Sequence, residues 1–169
     1  MSLANNFCEY KDEIELIHAQ NRVECDLYSI IAQIIRESAQ GRDISLRDVS
    51  VRRKTEFSKS FRGHFGFPDF VIRTREKSND AQILGAIEVK YLTEDLDLEK
   101  YLKQLEAHIT FYKLVIYTNG LVWRFYNGNS SKEDWEISLG EIINNNFKWA
   151  NKKQWGNLMM ELNNISWTD

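Results

Sequence analysis

The 169-residue chain is 43% hydrophobic and 28% charged, the balance of a soluble globular protein with material for one domain and a sizeable core. A net charge of −3 excludes a uniformly basic nucleic-acid coat, though not a local basic patch. No apolar run reaches membrane-spanning length, the N-terminus lacks the apolar centre of a signal peptide, and Cys8 and Cys25 have neither CxxC nor Cys/His spacing, so the expectation is a cytoplasmic protein without membrane partner, zinc site or disulfide frame.

In chain order, Glu13 to Ile17 predicts a short helix. Val23, Leu27, Ile30, Ile31, Ile34 and Ile35 form a helical stripe from Val23 to Ala39. Asn21 stands in N-cap position with Glu24 three residues on, as in a capping box, and Gly41 is placed to close the helix. Residues 42–62 hold the main basic cluster, Arg47, Arg52, Arg53, Lys54, Lys59 and Arg62 against Asp48 and Glu56, interleaved with Phe57 and Phe61. Val49 to Val51 reads as the start of a strand. A positive, aromatic-bearing segment suits contact with a phosphate backbone, which makes Arg52, Arg53, Lys54 and Arg62 the candidate DNA contacts. The alternative is a solvated charged face. His64, between Gly63 and Gly66, is either a substrate contact or an exposed loop residue.

Two short strands follow, Phe67 to Ile72 and Gly85 to Lys90, with a polar reversal at Lys77 to Asp80. Asp69 stands at the mouth of the first, directly after Pro68, the only proline. Glu88 and Lys90 are two apart and share one face of the second, while Val89 points the other way. A carboxylate inside the run Ile87-Glu88-Val89 is costly to bury unless its charge is compensated, as a divalent cation would do.

The acidic stretch Glu94 to Asp97 suits a helix start, and Leu98, Tyr101, Leu102, Leu105 and Ile109 predict the apolar face of that helix, with Gln104 and His108 one turn apart on its edge. Residues 111–118 and 121–126 flank Asn119-Gly120, a strong hairpin signal, read as a sheet-edge hairpin without chemistry. Beyond Asn127, Trp135, Ile137 and Leu139 alternate, Asn144 to Asn146 breaks the pattern, and Lys152 to Leu162 is amphipathic. The four tryptophans of this tail read as anchors onto the core or as an interface.

Pro68-Asp69 followed by Glu88-x-Lys90 resembles the signature of the PD-(D/E)xK nuclease superfamily. Gln104, and the phrase from Tyr117 to Tyr126, further resemble the nuclease domain of type I restriction enzyme R subunits, although His108 stands where that branch has tyrosine; Tyr112, one turn on, is a spatial substitute. The resemblance implies an α/β fold, a mixed four- to five-stranded sheet flanked by helices with a restriction-endonuclease-like αβββαβ core, in one domain whose core runs from about residue 21 to 127 and whose extension covers 128–169. It implies Mg²⁺, with Mn²⁺ as a substitute, held by Asp69, Glu88 and the carbonyl of Val89. It also implies a catalytic set of Asp69, Glu88, Lys90 and Gln104, with Lys90 serving the attacking water. In the same family an acidic residue on the N-terminal helix faces the metal, so Glu24 has two readings, metal ligand or helix cap.

The expected activity is Mg²⁺-dependent hydrolysis of DNA phosphodiester bonds by an endonuclease, alone, as a homodimer or within a restriction or defence complex. A non-catalytic DNA- or protein-binding module on the same fold is the alternative.

Overall fold

The apolar runs at Phe70–Ile72, Ala86–Ile87 and Val115–Tyr117 are buried on both sides of a single sheet, which is why they read as continuous rather than alternating. The computed structural model describes residues 2–51, 56–63 and 65–168. The elements are α1 (Phe7–Gln20), α2 (Asp26–Glu37), β1 (Ile44–Asp48), β2 (Phe70–Thr74), β3 (Ile83–Val89), α3 (Glu99–Tyr112), β4 (Leu114–Thr118), β5 (Val122–Tyr126), β6 (Trp135–Ser138), β7 (Gly140–Ile143), β8 (Asn146–Trp149) and α4 (Lys152–Asn164). Six strands form one sheet in sequence order, β1 to β6, and β7 pairs with β8 in a separate ribbon. All neighbours are antiparallel except β3 and β4, which α3 connects in parallel. A parallel pair requires such a crossover, because its strands cannot be joined by a tight turn.

The sheet is larger than the four to five strands expected. The hairpin at Asn119-Gly120 forms, with Gly120 at φ +85°, but it lies inside the sheet: β6 pairs with β5 and takes the edge. The break at Asn144 to Asn146 is the turn of the β7–β8 ribbon. Asn144 and Asn145 adopt φ of 49° and 66°, the left-handed pair that a two-residue hairpin demands and asparagine tolerates.

Helix boundaries also differ from expectation. The helix expected at Glu13–Ile17 is the fourteen-residue α1. α2 starts at Asp26, and Val23 is 38% exposed outside it. Asn21 ends α1 instead of capping α2, and its amide donates to Asp26 at 2.7 Å, so no capping box forms and Glu24 is left for another role. Gly41 is not the helix terminator. It sits in a 3₁₀ turn where a Cβ would come within 2.3 Å of the Arg36 carbonyl oxygen, so its value is close approach. The strand expected at Val49–Val51 lies earlier, as β1.

Helices cover both sheet faces. α1, α2 and α4 pack with Phe70, Ile72, Ile87, Val89, Ile116 and Trp123 in one large core. α3 packs on the other face with Val71, Ala86, Val115 and Tyr117. Its buried stripe is Leu105, His108, Ile109 and Tyr112, whereas Leu98 and Leu102, expected inside, are 37% and 39% exposed. The tail tryptophans split: Trp155 and Trp167 are buried in the large core, and Trp135 and Trp149 pack on its rim.

Candidate functional site

β3 sends Ile87 and Val89 into the large core, while Ala86, Glu88 and Lys90 face α3. The β2–β3 register, with Phe70 opposite Ile87, carries Asp69 to the end of β3. There its Oδ2 accepts the Val89 N–H at 2.7 Å and its Oδ1 accepts the Tyr28 hydroxyl at 2.5 Å. The same hydroxyl lies 3.1 Å from Glu24 Oε1. It carries one hydrogen, which the shorter contact assigns to Asp69.

Glu88 and Lys90 are 3% and 6% exposed. Lys90 Nζ donates to Glu88 Oε1 at 2.6 Å and to Gln104 Oε1 at 3.2 Å, and stands 4.7 Å from the ring centre of Tyr101. Tyr101 is fixed in turn by its hydroxyl on Glu94 at 2.7 Å. A buried ammonium is tolerated only with such compensation. The other Glu88 oxygen is different. Oε2 faces His108 Nε2 at 3.3 Å without the alignment of a hydrogen bond, and Oε2 and both His108 nitrogens are buried without a hydrogen-bond partner.

The charges are mutually perturbed. Burial first, then the Glu88 carboxylate, pushes Asp69 up to about 7, against the hydrogen bonds from Tyr28 and Val89. Burial likewise raises Glu24, opposed by Lys90. For Lys90 burial acts downward, but Glu88, its hydrogen bond, Glu24 and Asp69 outweigh it and hold the amine above its ordinary value. Lys90 is therefore a firm cation. Burial and the Asp69 charge raise the Tyr28 phenol, which keeps its proton and can only share it.

Asp69, Glu88, Val89, Lys90 and Gln104 thus come together, and Glu24 joins them through Tyr28. His108, expected at the helix edge, is fully buried and faces Glu88. Tyr112 does not stand in for the missing tyrosine, since its hydroxyl is taken up by the Phe61 carbonyl and the Gly63 N–H. Arg52, Arg53, Lys54 and His64 lie outside the described residues, and Arg62 is exposed. Tyr28 and Tyr101 were not foreseen. Their signal is spacing: Tyr101 precedes Gln104 by three on α3, so the two share a helix side, and Tyr28 stands in the first turn of α2, four residues after Glu24. Asn119 also contributes, its amide donating to the Leu92 and Glu94 carbonyls and tying down the loop after Lys90.

Glu88 and Lys90 are buried, whereas Glu24, Asp69, Tyr101 and Gln104 are half-buried. Clefts of about 510 and 380 Å³ lie elsewhere, one beside Thr110, Lys113 and Asn127, the other beside Arg36, Arg47 and Arg75. Among the described residues no three His, Cys, Asp or Glu side chains are grouped as a ready metal cage. Two carboxylates suit Mg²⁺, which dehydrates reluctantly and takes few protein ligands. The unpartnered Glu88 Oε2 and the raised Asp69 are the features that a cation would relieve.

No protein-family model matches the chain, and no curated protein matches it. Among solved structures it is similar to one described as a cryo-EM structure of a DrdV–DNA complex, with a TM-score of 0.60 and 14% identity, over 94% of this chain and 13% of that chain. At such identity the likeness is one of fold. Among the described residues no helix is long and apolar enough to cross a membrane.

Proposed function

We propose that the chain is a Mg²⁺-dependent DNA endonuclease of the PD-(D/E)xK type, with Mn²⁺ able to substitute, acting within a restriction or defence assembly. The observation that carries this is the convergence of Asp69, Glu88 and Lys90 at the end of β3, where the Glu88 carboxylate raises both Asp69 and Lys90 and accepts a hydrogen bond from Lys90. The order α2-β1-β2-β3-α3-β4 is that expected of the αβββαβ core, and the fold likeness to a protein solved with DNA supports DNA as the partner. Its match to 13% of a longer chain is in keeping with work as one part of a larger assembly.

Asp69, Glu88 and the Val89 carbonyl would hold the cation, with Glu24 as an outer partner through Tyr28 or through water. Bound there, the ion would polarise the phosphoryl oxygen and make a bound water more acidic. Lys90, held cationic, can donate to a water or a phosphoryl oxygen but is no proton acceptor in this state. Its role is to orient and to offset charge. Gln104 keeps Nζ aimed at Glu88, and Arg62, with Arg52, Arg53 and Lys54, would meet the backbone phosphates.

The test is cleavage of plasmid DNA with Mg²⁺ or Mn²⁺ by wild type and by Asp69→Asn, Glu88→Gln and Lys90→Met, which keep side-chain volume. Wild type is expected to cut and all three to fail while folded. Full activity in any one of them rejects the assigned site. DNA binding without cutting by wild type replaces the reading with a binding module.

A further inference from the structure

Across the described residues, the buried side-chain atoms without a hydrogen-bond partner are three: Glu88 Oε2 and the two ring nitrogens of His108. Buried polar groups are nearly always satisfied, so three orphans on two adjoining side chains call for a reason. The ring is 0% exposed, held by α3 between Leu105 and Ile109 and 5.7 Å from the Tyr112 ring, so it cannot reach a phosphate. What it can reach is Glu88, 3.3 Å away.

We infer that His108 is a positioning residue for the Glu88 carboxylate: with hydrogen on Nε2 it holds Oε2 from behind and sets the orientation in which Glu88 meets a divalent cation. This rests on the nuclease reading of Asp69 and Glu88. The geometry separates the roles of the two oxygens. Oε1 is committed to Lys90, and without His108 no hydrogen-bond partner stands beside Oε2 to complete the carboxylate's orientation. A small turn of either side chain closes a hydrogen bond between them. A ring nitrogen donating to a ligating carboxylate is outer-shell support, and loss of such partners usually costs 10–100-fold in metal affinity.

Three measurements decide it. In the cation-free protein, the ¹⁵N–¹H correlation of the His108 ring should show hydrogen on Nε2. In direct titration with Mn²⁺ alone, His108→Phe should bind about 10–100-fold more weakly than wild type, and His108→Gln, whose amide nitrogen falls near Nε2, should recover most of the loss. His108→Asn, whose amide falls short, should not recover it, and this pair decides the matter should the Phe variant misfold. The Phe effect should disappear in a Glu88→Gln background. Hydrogen on Nδ1 alone, wild-type affinity in His108→Phe, or equal loss in the Gln and Asn variants overturns the inference. Should Asp69→Asn bind Mn²⁺ as wild type does, the nuclease metal site itself fails and the cation role of His108 with it; the ring tautomer still reports separately whether His108 holds Glu88.

Discussion

The two faces of the sheet have been put to different uses by the same strand. On one face Ile87 and Val89 lie in a core built from three helices and both ends of the chain. On the other, one residue away, Glu88 and Lys90 are equally buried but surrounded by Gln104, His108, Tyr101 and Asp69. Apolar burial stabilises at roughly 25 cal/mol per Å² whatever its neighbours, whereas each buried charge must find a specific partner. One face supplies rigidity, and the other spends part of that stability on holding like charges together.

The difference is sharpest between adjacent residues. If Glu88 ligates the cation, Glu88→Gln should lower DNA cleavage at least about 10³-fold, a loss of several kcal/mol of transition-state stabilisation, while its amide oxygen still accepts from Lys90 and the protein stays folded. Ile87→Ala should do the reverse, costing about 2–5 kcal/mol by denaturant titration while the folded fraction retains its cleavage rate. If Ile87→Ala kills catalysis without destabilising, or Glu88→Gln unfolds the protein, the division between faces is wrong.

A smaller effect is set by Asp69. Its folded-state value near 7 lies above the ordinary 3.8, so from about pH 4 to 7 the native state holds a proton that the unfolded chain releases. Stability without cation should therefore fall as pH rises through that window, by at most about 1.4 kcal/mol per pH unit. Asp69→Asn should flatten this fall and be at least as stable as wild type at pH 8, as read by melting at a series of pH values. Mn²⁺ affinity should rise with pH up to about 7 in wild type, because ion and proton compete for the same carboxylate. A stability profile in Asp69→Asn that still falls like wild type would remove Asp69 from the strained pair.

The smallest effect lies outside both faces. If Arg62 meets a phosphate, Arg62→Gln should reduce the slope of log affinity against log salt by about 0.9 on duplex DNA, measured by titration at several salt concentrations. An unchanged slope returns Arg62 to the solvated surface.

Much of the site face could be read from the chain because its residues break a pattern. Asp69 after the one proline and Glu88 inside an apolar run are conspicuous, and the strands that carry them alternate as strands do. The burial of His108 and Tyr112, both placed at the site's edge from the sequence, stayed hidden for the opposite reason. The apolar period on α3 favoured Leu98 and Leu102, yet the sheet beneath that helix ends in charge, so the buried stripe needed polar members. Glu24 offered two readings because Asn21 stands three residues before it; only the chain's path, with α1 running to Gln20, settles that Asn21 belongs to the end of one helix. The β7–β8 ribbon was missed since Asn144-Asn145 lacks glycine, and left-handed asparagine looks like any polar loop. The acidic stretch before α3 is used for tethering, Asp97 gripping Arg124 at 2.7 and 3.1 Å, a role that sequence spacing does not announce.

Trp155 donates its indole N–H to the Ala4 carbonyl, 151 positions away, and Trp149 reaches Glu15 across 134. Against these, Asp69 meets Val89 across 20 positions and Lys90 meets Gln104 across 14. In the time course of folding these are opposite extremes, because short loops close early and long-range pairings wait. The strands that carry Asp69, Glu88 and Lys90 should condense while both chain ends are still loose, and the tryptophans should lock them afterwards. Replacing Trp155 with phenylalanine should then accelerate unfolding more than it slows folding, a signature that denaturant-jump kinetics would resolve as a steepened or raised unfolding limb beside an almost unmoved folding limb.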